Sequence, residues 1–410
     1  MNYAYIRNNH FELFILLIIA TVPFGIERKI SGVWITSSDL LIAATIIAAA
    51  VRMLWKKYRP RVTDFPFLFI ISGLLTTFII SAFGAFSQFE AIKETCKFAL
   101  LFGYFFLLTT TVKSEETIKK IPYIIFLSTC ILSVWFIFDF FYRQMPIYHD
   151  KIWHRFPFSE IHFNALASYI CAGIPFGFYI FSRINKQTLK ITIMLAITVH
   201  ITALLFTYSR INWIIMAATM IIVLFIKYRL KGILLSGIIL ACPFVLAIQY
   251  NPNLELKERL LSITNINDVS RNERIELINN AIVLIKKRPL LGVGLGNYSI
   301  AVRQYLNSKV EEMSHMIYLQ FWAEAGIFTL LLFISILIKY YIDACTLARR
   351  LNAQVQERSL LLYSTLSFSI IILANQFGDP FIRTIKELFM LLLSFPYLLL
   401  NMQRNRESTD

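Results

Sequence analysis

Two arginines and one histidine stand out because each lies where an apolar segment meets a polar one. Arg210 lies in a short polar stretch between two apolar runs, Arg274 in the first turn of a predicted helix, and His315 where a long polar segment enters an apolar run. Guanidinium groups bind phosphate through paired hydrogen bonds, and a helix N-terminus adds backbone amides to the same anion. Imidazole titrates near neutral pH and suits a general base. These residue types fit chemistry on a phosphorylated substrate.

Each of these residues also has a structural explanation, and the sequence leaves it open. At a membrane boundary, Arg210 can extend its guanidinium to lipid headgroups. Arg274 can form an exposed ion pair with Glu273 or Glu276. His315 can cap a helix or pack against its neighbours.

A second polar loop carries His149, His154 and His162. The spacing of His149 and His154 does not place them on one helical face, and no zinc-ligand pattern emerges. We therefore expect no metal site and no cofactor. Arg155 in the same loop can add positive charge to the cleft that the other cations form.

Three glycines, Gly292, Gly294 and Gly296, alternate within Leu-Gly-Val-Gly-Leu-Gly-Asn-Tyr. This spacing differs from the dinucleotide-binding fingerprint, and no βαβ unit surrounds it. The pattern is typical of a tight, closely packed backbone turn.

The elements that position these residues are apolar helices. The chain has 410 residues, of which 57% are hydrophobic and 15% aromatic, and a mean hydropathy of +0.62. Recurrent apolar runs are long enough to cross a bilayer, and a chain in lipid must satisfy its backbone hydrogen bonds within a helix. We predict twelve spans, at 11–25, 37–55, 65–86, 94–112, 121–142, 163–181, 189–208, 211–228, 231–249, 316–338, 359–376 and 384–401.

Every second loop between these spans is basic, and these loops account for much of the net charge of +15. Because membrane orientation explains the charge, we expect no nucleic acid as a partner. The bias places both termini in the cytoplasm. The opposite loops include 143–162 and 250–314, and the second is the longest polar segment. The sequence predicts one polytopic membrane domain over residues 1–410, with the 250–314 segment as a large outer loop between spans nine and ten.

The outer loop has helical character of its own. Ser270–Glu273 fits a capping box, and Pro289 ends the pattern that follows. Isoleucines at helical spacing predict one apolar face, formed by Ile275, Ile278, Ile282 and Ile285.

Taken together, the motifs resemble those of the O-antigen ligase family, which also includes polysaccharide polymerases. The pattern is Thr-Tyr-Ser-Arg at the end of a span, then Arg274 fifteen residues before Pro289, then Ser-His followed by Tyr-Leu-Gln and Glu324-Ala-Gly. The resemblance runs from about span six to span ten. It implies an all-α, GT-C-like membrane protein of about twelve helices with a large, partly helical periplasmic loop.

The resemblance also implies a function. Such ligases transfer a polysaccharide from undecaprenyl diphosphate to the lipid A-core at the periplasmic face of the bacterial inner membrane, without a metal. Arg210 and Arg274 match the family's diphosphate-binding arginines, His315 its essential histidine, and Asn164 an asparagine at the start of a span. Membrane lipids are further expected partners. One departure is Met316, where the family often has asparagine.

Two alternatives remain at this point. A polymerase of the same superfamily would perform the same chemistry on another acceptor. A transporter of the lipid-linked glycan would need charges near the bilayer midplane. The candidate charges cluster at one face, and Asp139 is predicted to be the only acidic residue clearly inside a span, which favours an enzyme.

Overall fold

The computed structural model describes residues 3–24, 27–30, 33–55, 65–142, 153–155, 160–250, 256–261, 269–306, 314, 316–351, 354–377 and 386–407. Over these residues the chain is almost entirely helical. A helix lies over each of the twelve predicted spans, in chain order α1 Tyr3–Thr21, α2 Ser37–Trp55, α3 Leu68–Phe83, α4 Gln88–Thr111, α5 Glu115–Tyr142, α6 Phe163–Arg183, α7 Gln187–Phe206, α8 Arg210–Tyr228, α9 Leu230–Tyr250, α13 Ile317–Arg350, α14 Val355–Phe377 and α15 Lys386–Glu407. The remaining helices belong to the predicted outer loop and are α10 Leu256–Leu261, α11 Val269–Lys287 and α12 Tyr298–Leu306.

Five of the described helices are long and apolar enough to cross a membrane: α5, α6, α7, α13 and the Val355–Ala374 part of α14. A helix of about 20 apolar residues covers the hydrocarbon core and satisfies its own backbone. These five give the chain the character of a multi-pass membrane protein. The count of twelve spans stays a prediction.

Helix α6 is the innermost of these five. Within its most apolar window 89% of the residues are buried, and it packs against α5, α7, α8 and α14. Its first residues, from Phe163 onward, therefore lie near the axis of the bundle at one end.

The other end of the bundle contains Glu12 of α1 and the end of α15. The Glu12 carboxylate accepts a hydrogen bond of 3.0 Å from the backbone amide of Ser114. Arg406 donates to Glu115 at 2.8 Å and to Glu357 at 2.9 Å. Glu12 of α1 and Arg406 of α15 thus lie at the end where α4 passes to α5, opposite the start of α6.

Two short antiparallel hairpins connect helices of the otherwise all-helical chain, and the sequence did not predict them. Strand β1 (Glu27–Ile30) pairs with β2 (Val33–Thr36), and β3 (Trp153–Arg155) pairs with β4 (Glu160–His162). Strands of three or four residues are too short to show the alternation of apolar and polar residues from which a strand is predicted. Each hairpin connects two helices that begin or end at the same end of the bundle as Phe163.

Helix α11 ends at Lys287, two residues before Pro289, as predicted. Its start and its buried face differ from the prediction. It begins at Val269, so Ser270 lies inside the helix and not at its cap. The buried side chains are Leu277, Ala281, Leu284 and Ile285. Of the predicted isoleucine face Ile285 is thus buried, whereas Ile275 and Ile282 are 46% and 37% exposed. Ala281, Leu284 and Ile285 belong to a small second core with Val293 and Ala323.

The prediction that Asp139 is the only acidic residue inside a span is wrong. Asp139 is buried in α5, but Glu324 in α13 and Glu94 in α4 are buried as well. A buried carboxylate is tolerated where donors surround it. The donors that surround Glu324 organise much of the site described next.

Candidate functional site

The turn between α7 and α8 is three residues long and tightly constrained. Helix α7 ends at Phe206 and α8 begins at Arg210. Tyr208, between them, has a φ of 54°, a left-handed conformation that costs a non-glycine residue about 1 kcal/mol or more. The indole of Trp213 donates to the carbonyl of Leu204 at 2.9 Å and ties the two helices together. Such strained residues persist where the surroundings fix them, and they often mark functional sites.

Below this turn lies a buried polar network, the Ser209 cluster, formed by Asn164, Ser168, Ser209 and Asn212. The Ser209 hydroxyl donates to Oδ1 of Asn164 at 2.7 Å, and Nδ2 of Asn212 donates to the Ser209 hydroxyl at 2.9 Å. The Ser168 hydroxyl lies 2.8 Å from the carbonyl of Asn164 and 3.4 Å from Oδ1 of Asn212. Buried polar groups that bond each other in this way avoid a desolvation penalty of about 1–3 kcal/mol each. The network fixes the start of α6 against the start of α8.

Arg210 follows the cluster directly as the first residue of α8, and it is half-buried. Ser209 is the N-cap of α8 but makes no side-chain capping bond, because its hydroxyl is engaged with Asn164 and Asn212. A helix N-terminus carries partial positive charge and attracts anions. Arg210 therefore adds a full positive charge to an end that already favours an anion.

A second buried network, the Glu324 anchor, consists of Glu324, Gln320 and Ser314 with the backbone of Gly296 and Tyr298. The Glu324 carboxylate accepts from the amide of Gly296 at 2.9 Å and from that of Tyr298 at 3.2 Å. It also accepts from the side-chain amide of Gln320 at 2.6 Å. Hydrogen bonds to a carboxylate are stronger than those between neutral groups. The anchor holds the glycine-rich turn of residues 292–296 against α13.

The glycine-rich turn fits into a kink of α13. Gly326 has φ 84° and ψ 176°, which breaks the helix, and the amide of Ile327 donates to the carbonyl of Pro289 at 3.1 Å. A Cβ on Gly326 would lie 1.8 Å from the carbonyl oxygen of Leu290, and a Cβ on Gly292 would lie 2.3 Å from that of Glu324. Only glycine permits backbones to approach this closely. The predicted tight turn is confirmed.

The residues on both sides of position 315 are held by the Glu324 anchor. Ser314 is buried, and its amide and hydroxyl both donate to Oε1 of Gln320, at 3.1 and 3.0 Å. Met316 is the N-cap of α13. His315 itself lies outside the described residues.

A family comparison bears on this arrangement. Residues 191–334, about a third of the chain, match the family model described as O-antigen ligase. This part of the chain is therefore similar to the O-antigen ligase family. No curated protein matches the chain. The matched region runs from α7 into α13, so it contains the α7–α8 turn, the whole of α11 and the glycine-rich turn.

Within the matched region, Arg274 lies on α11 and is half-buried. Helix α11 packs against α13, and the Tyr298 hydroxyl donates to the carbonyl of Leu277 at 2.7 Å. Burial, and to a smaller extent the nearby Glu324 carboxylate, raises the pKa of Tyr298. The phenol therefore remains a donor and links α12 to the helix that carries Arg274.

The predicted site residues are thus placed to different degrees. Asn164 is joined by hydrogen bonds to Ser209, the residue before Arg210. Arg155 pairs in register with Glu160 in the β3–β4 hairpin, and the structure describes its backbone alone. The convergence of Arg210, Arg274 and His315 in one pocket stays a prediction.

Sequence reasoning missed three residues of the Ser209 cluster, namely Ser168, Ser209 and Asn212. A signal was present in their spacing. Asn164 and Ser168 are four residues apart, and Ser209 and Asn212 are three apart, so each pair shares one helical face at the start of a span. Polar side chains on one face of neighbouring membrane helices commonly bond across the interface.

Proposed function

We propose that the chain is a metal-independent glycosyltransferase that moves a polysaccharide from undecaprenyl diphosphate to the lipid A-core oligosaccharide. The observation that carries the proposal is the O-antigen ligase match, because residues 191–334 include Arg210, Arg274 and position 315. The buried Ser209 cluster beside Arg210 supports it, since a rigid polar network at a helix N-terminus is a suitable frame for a phosphate site.

In this proposal Arg210 and Arg274 bind the diphosphate of the lipid-linked donor. As the glycosidic bond breaks, negative charge grows on the leaving phosphate. Two guanidinium groups stabilise that charge without a metal, because they stay protonated and offer paired donors. Asn164 and Arg155 are further proposed contacts of the substrate.

His315 acts as the general base in the same step. It removes the proton of the acceptor hydroxyl as that oxygen attacks the anomeric carbon, and the lipid diphosphate leaves from the opposite side. A single direct displacement inverts the configuration at that carbon. The Glu324 anchor serves this step indirectly, because it holds the residues that flank position 315. Alignment of two lipid-anchored substrates supplies much of the acceleration.

The proposed setting is the bacterial inner membrane, with both termini in the cytoplasm and the site facing the periplasm. Two observations support this orientation. The basic loops alternate along the chain. The contacts of Glu12 and Arg406 lie at the opposite end of the bundle from the Ser209 cluster.

The test is transfer by purified protein in detergent, with a lipid-diphosphate glycan as donor and lipid A-core as acceptor. Arg210→Ala, Arg274→Ala and His315→Ala are each expected to lower the rate at least 100-fold, which is the order of one general-base or oxyanion contact. Arg303→Ala is the matched control, because Arg303 is an exposed arginine of the same matched region. Equal loss in the control, or full activity of His315→Ala, would refute the assignment.

A deletion strain separates the ligase from the polymerase of the same superfamily. Loss of a ligase leaves long lipid-linked polymer that never reaches the core. Loss of a polymerase leaves a single repeat unit attached to the core. The proposal predicts the first pattern, restored by the wild-type gene and not by His315→Ala.

A further inference from the structure

A cavity of about 340 Å³ opens at the end of the bundle opposite the Ser209 cluster. It lies between the residues preceding α3, the end of α4, the middle of α13 and the end of α15. Helix α4 spans the distance between the two regions, since Ser87 at its start contacts Asn297 of the outer loop and Lys113 follows its last turn. The cavity is thus remote from the proposed transfer site.

The lining of the cavity is basic. Lys113, Lys339 and Arg404 line it, and none of the described residues that line it is acidic. Lys339 also donates to Asp343 at 2.9 Å, which offsets part of its charge. Lys113 and Arg404 are exposed. The wall therefore retains an excess of positive charge.

Cations at this position could have a purely structural role, because the C-terminal end of α4 carries partial negative charge that cations stabilise. The carbonyls there already have donors. Asn401 donates to the carbonyl of Thr109 at 2.6 Å, and Asn405 donates to that of Lys113 at 2.7 Å. Because amide side chains satisfy these acceptors, the cations of the cavity are not required to cap α4.

The neighbouring Arg406 shows what a structural cation looks like at this end. It contacts two carboxylates, Glu115 at 2.6 Å and Glu357 at 2.9 Å. Arg404, two residues earlier, lines the cavity instead. The contrast separates an ion pair that holds helices together from cations that face open space.

Apolar groups complete the cavity. Pro66, Tyr397 and Leu400 line it, and the ammonium of Lys339 lies 5.7 Å from the centre of the Phe67 ring. A free inorganic ion gains little from such a wall, whereas a phosphodiester attached to glycerol and acyl chains gains from both surfaces. Basic pockets between membrane helices recognise anionic headgroups in this way.

We propose that this cavity binds the phosphate of an anionic phospholipid in the membrane leaflet on that side. The inference goes beyond the proposed transfer activity and is independent of its chemistry, although the proposed orientation makes the leaflet the cytoplasmic one. Lys113 and Arg404 contact the phosphate, and the apolar wall contacts the glycerol region.

The experiment measures ligand-induced thermal stabilisation of the full-length protein in detergent, with no glycan donor or acceptor present. The probes are short-chain phosphatidylglycerol, short-chain phosphatidylcholine and inorganic phosphate. Wild-type protein is expected to bind phosphatidylglycerol at least tenfold more tightly than phosphatidylcholine. Lys113→Gln and Arg404→Gln should each weaken that binding about fivefold, and the double variant about 25-fold, since one cation near a surface contributes about that much.

Lys120→Gln is the matched control, because Lys120 is an exposed lysine on the same end that pairs with Glu116. It should leave the phosphatidylglycerol affinity within twofold of wild type. Equal binding of the two lipids, or an unchanged affinity in the double variant, overturns the proposal. If inorganic phosphate binds as tightly as phosphatidylglycerol, and its binding weakens equally in the variants, the phosphate that the cavity binds does not come from a lipid and the proposal is overturned. Transfer activity is not part of the readout, so failure of the proposed function cannot produce any of these results.

Discussion

The Ser209 cluster and the Glu324 anchor lie at the same end of the bundle, yet they are built differently. In the Ser209 cluster neutral side chains bond mainly to one another, across the starts of α6 and α8. In the Glu324 anchor a carboxylate bonds to backbone amides that lie 26 and 28 residues earlier in the chain. The first network joins two helices, and the second fixes the path of a loop.

This difference separates two roles. A network of side chains can lose one member with a local change, because the backbone around it keeps its own hydrogen bonds. The Glu324 carboxylate instead accepts from two buried backbone amides, so its loss leaves both amides without that acceptor. The amides of Val293 and Gly294, which donate to the carbonyls of Ala323 and Glu324, would then hold the turn with fewer bonds. The Ser209 cluster is therefore suited to tune a binding surface, and the Glu324 anchor to keep Ser314 and Met316 in place. Substitutions that weaken one region at a time test the distinction.

The largest effect is expected from Gly326→Ala. The new Cβ would meet the Leu290 carbonyl at 1.8 Å on a backbone with φ of 84°, so the glycine-rich turn cannot dock in the kink of α13. We expect little folded protein after purification, measured as the monodisperse fraction in detergent. Gly237→Ala is the control, since a Cβ there meets nothing within 4 Å. Normal recovery of Gly326→Ala would show that the turn does not depend on this close approach.

The next effect is expected from Glu324→Ala, which leaves the amides of Gly296 and Tyr298 and the Gln320 side chain without their acceptor. Hydrogen bonds to a buried charge contribute about 1.5–3 kcal/mol each, so a loss of about 3 kcal/mol or more is expected. The measurement is the thermal midpoint in detergent. Glu116→Ala, which removes an exposed i,i+4 pair with Lys120, should cost about 0.5 kcal/mol or less. Similar losses of stability in both variants would contradict the anchoring role of Glu324.

Much of the fold could be predicted because lipid allows a spanning segment few alternatives to a helix. A helix covers each predicted span for that reason. Helix α11 shows the limit of the approach. Its isoleucines and the positions of Ala281 and Leu284 are equally compatible with a helix. The second core at Val293 and Ala323, which takes up Ala281, Leu284 and Ile285, is set by tertiary structure. The hairpins were missed because three or four residues carry no period.

The site could be predicted in part for the same kind of reason. Asn164 and Arg210 were recognised as candidate site residues from motifs, and Asn164 does contact Ser209, the residue before Arg210. The role of Glu324 could not be derived from local pattern, because its donors come from a turn far away in the sequence. The glycines of that turn indicated close packing, but not the surface against which they pack.

A moderate effect, on activity more than on stability, is expected from Ser209→Ala. The substitution removes the donor to Asn164 and the acceptor of Asn212, at a cost of about 2 kcal/mol. Because Arg210 follows directly, its guanidinium loses a fixed frame, and transfer should fall at least tenfold with a raised KM for the donor. Ser209→Thr keeps the hydroxyl and should restore most of the activity.

Ser335→Ala is the control. It removes only a bond within α13 and should leave the rate of transfer unchanged. A rate loss in Ser335→Ala as large as that in Ser209→Ala would mean that the network has no special role.

The smallest effect is expected from Met316→Asn, which adds a side-chain capping bond at the start of α13, beside the Glu324 anchor. Met316 is the N-cap of α13, with φ −128° and ψ 110°, and it makes no side-chain capping bond. This backbone conformation suits an N-cap asparagine, whose oxygen accepts from an amide in the first turn. We expect a stabilisation of about 1 kcal/mol, seen as a small rise in the thermal midpoint, and no rise in Met316→Leu, which lacks the oxygen. The gain should vanish in a Glu324→Ala background if the anchor is what holds residue 316 in the capping conformation. A gain that persists there would mean that α13 sets its own start, and that the anchor acts on the glycine-rich turn alone.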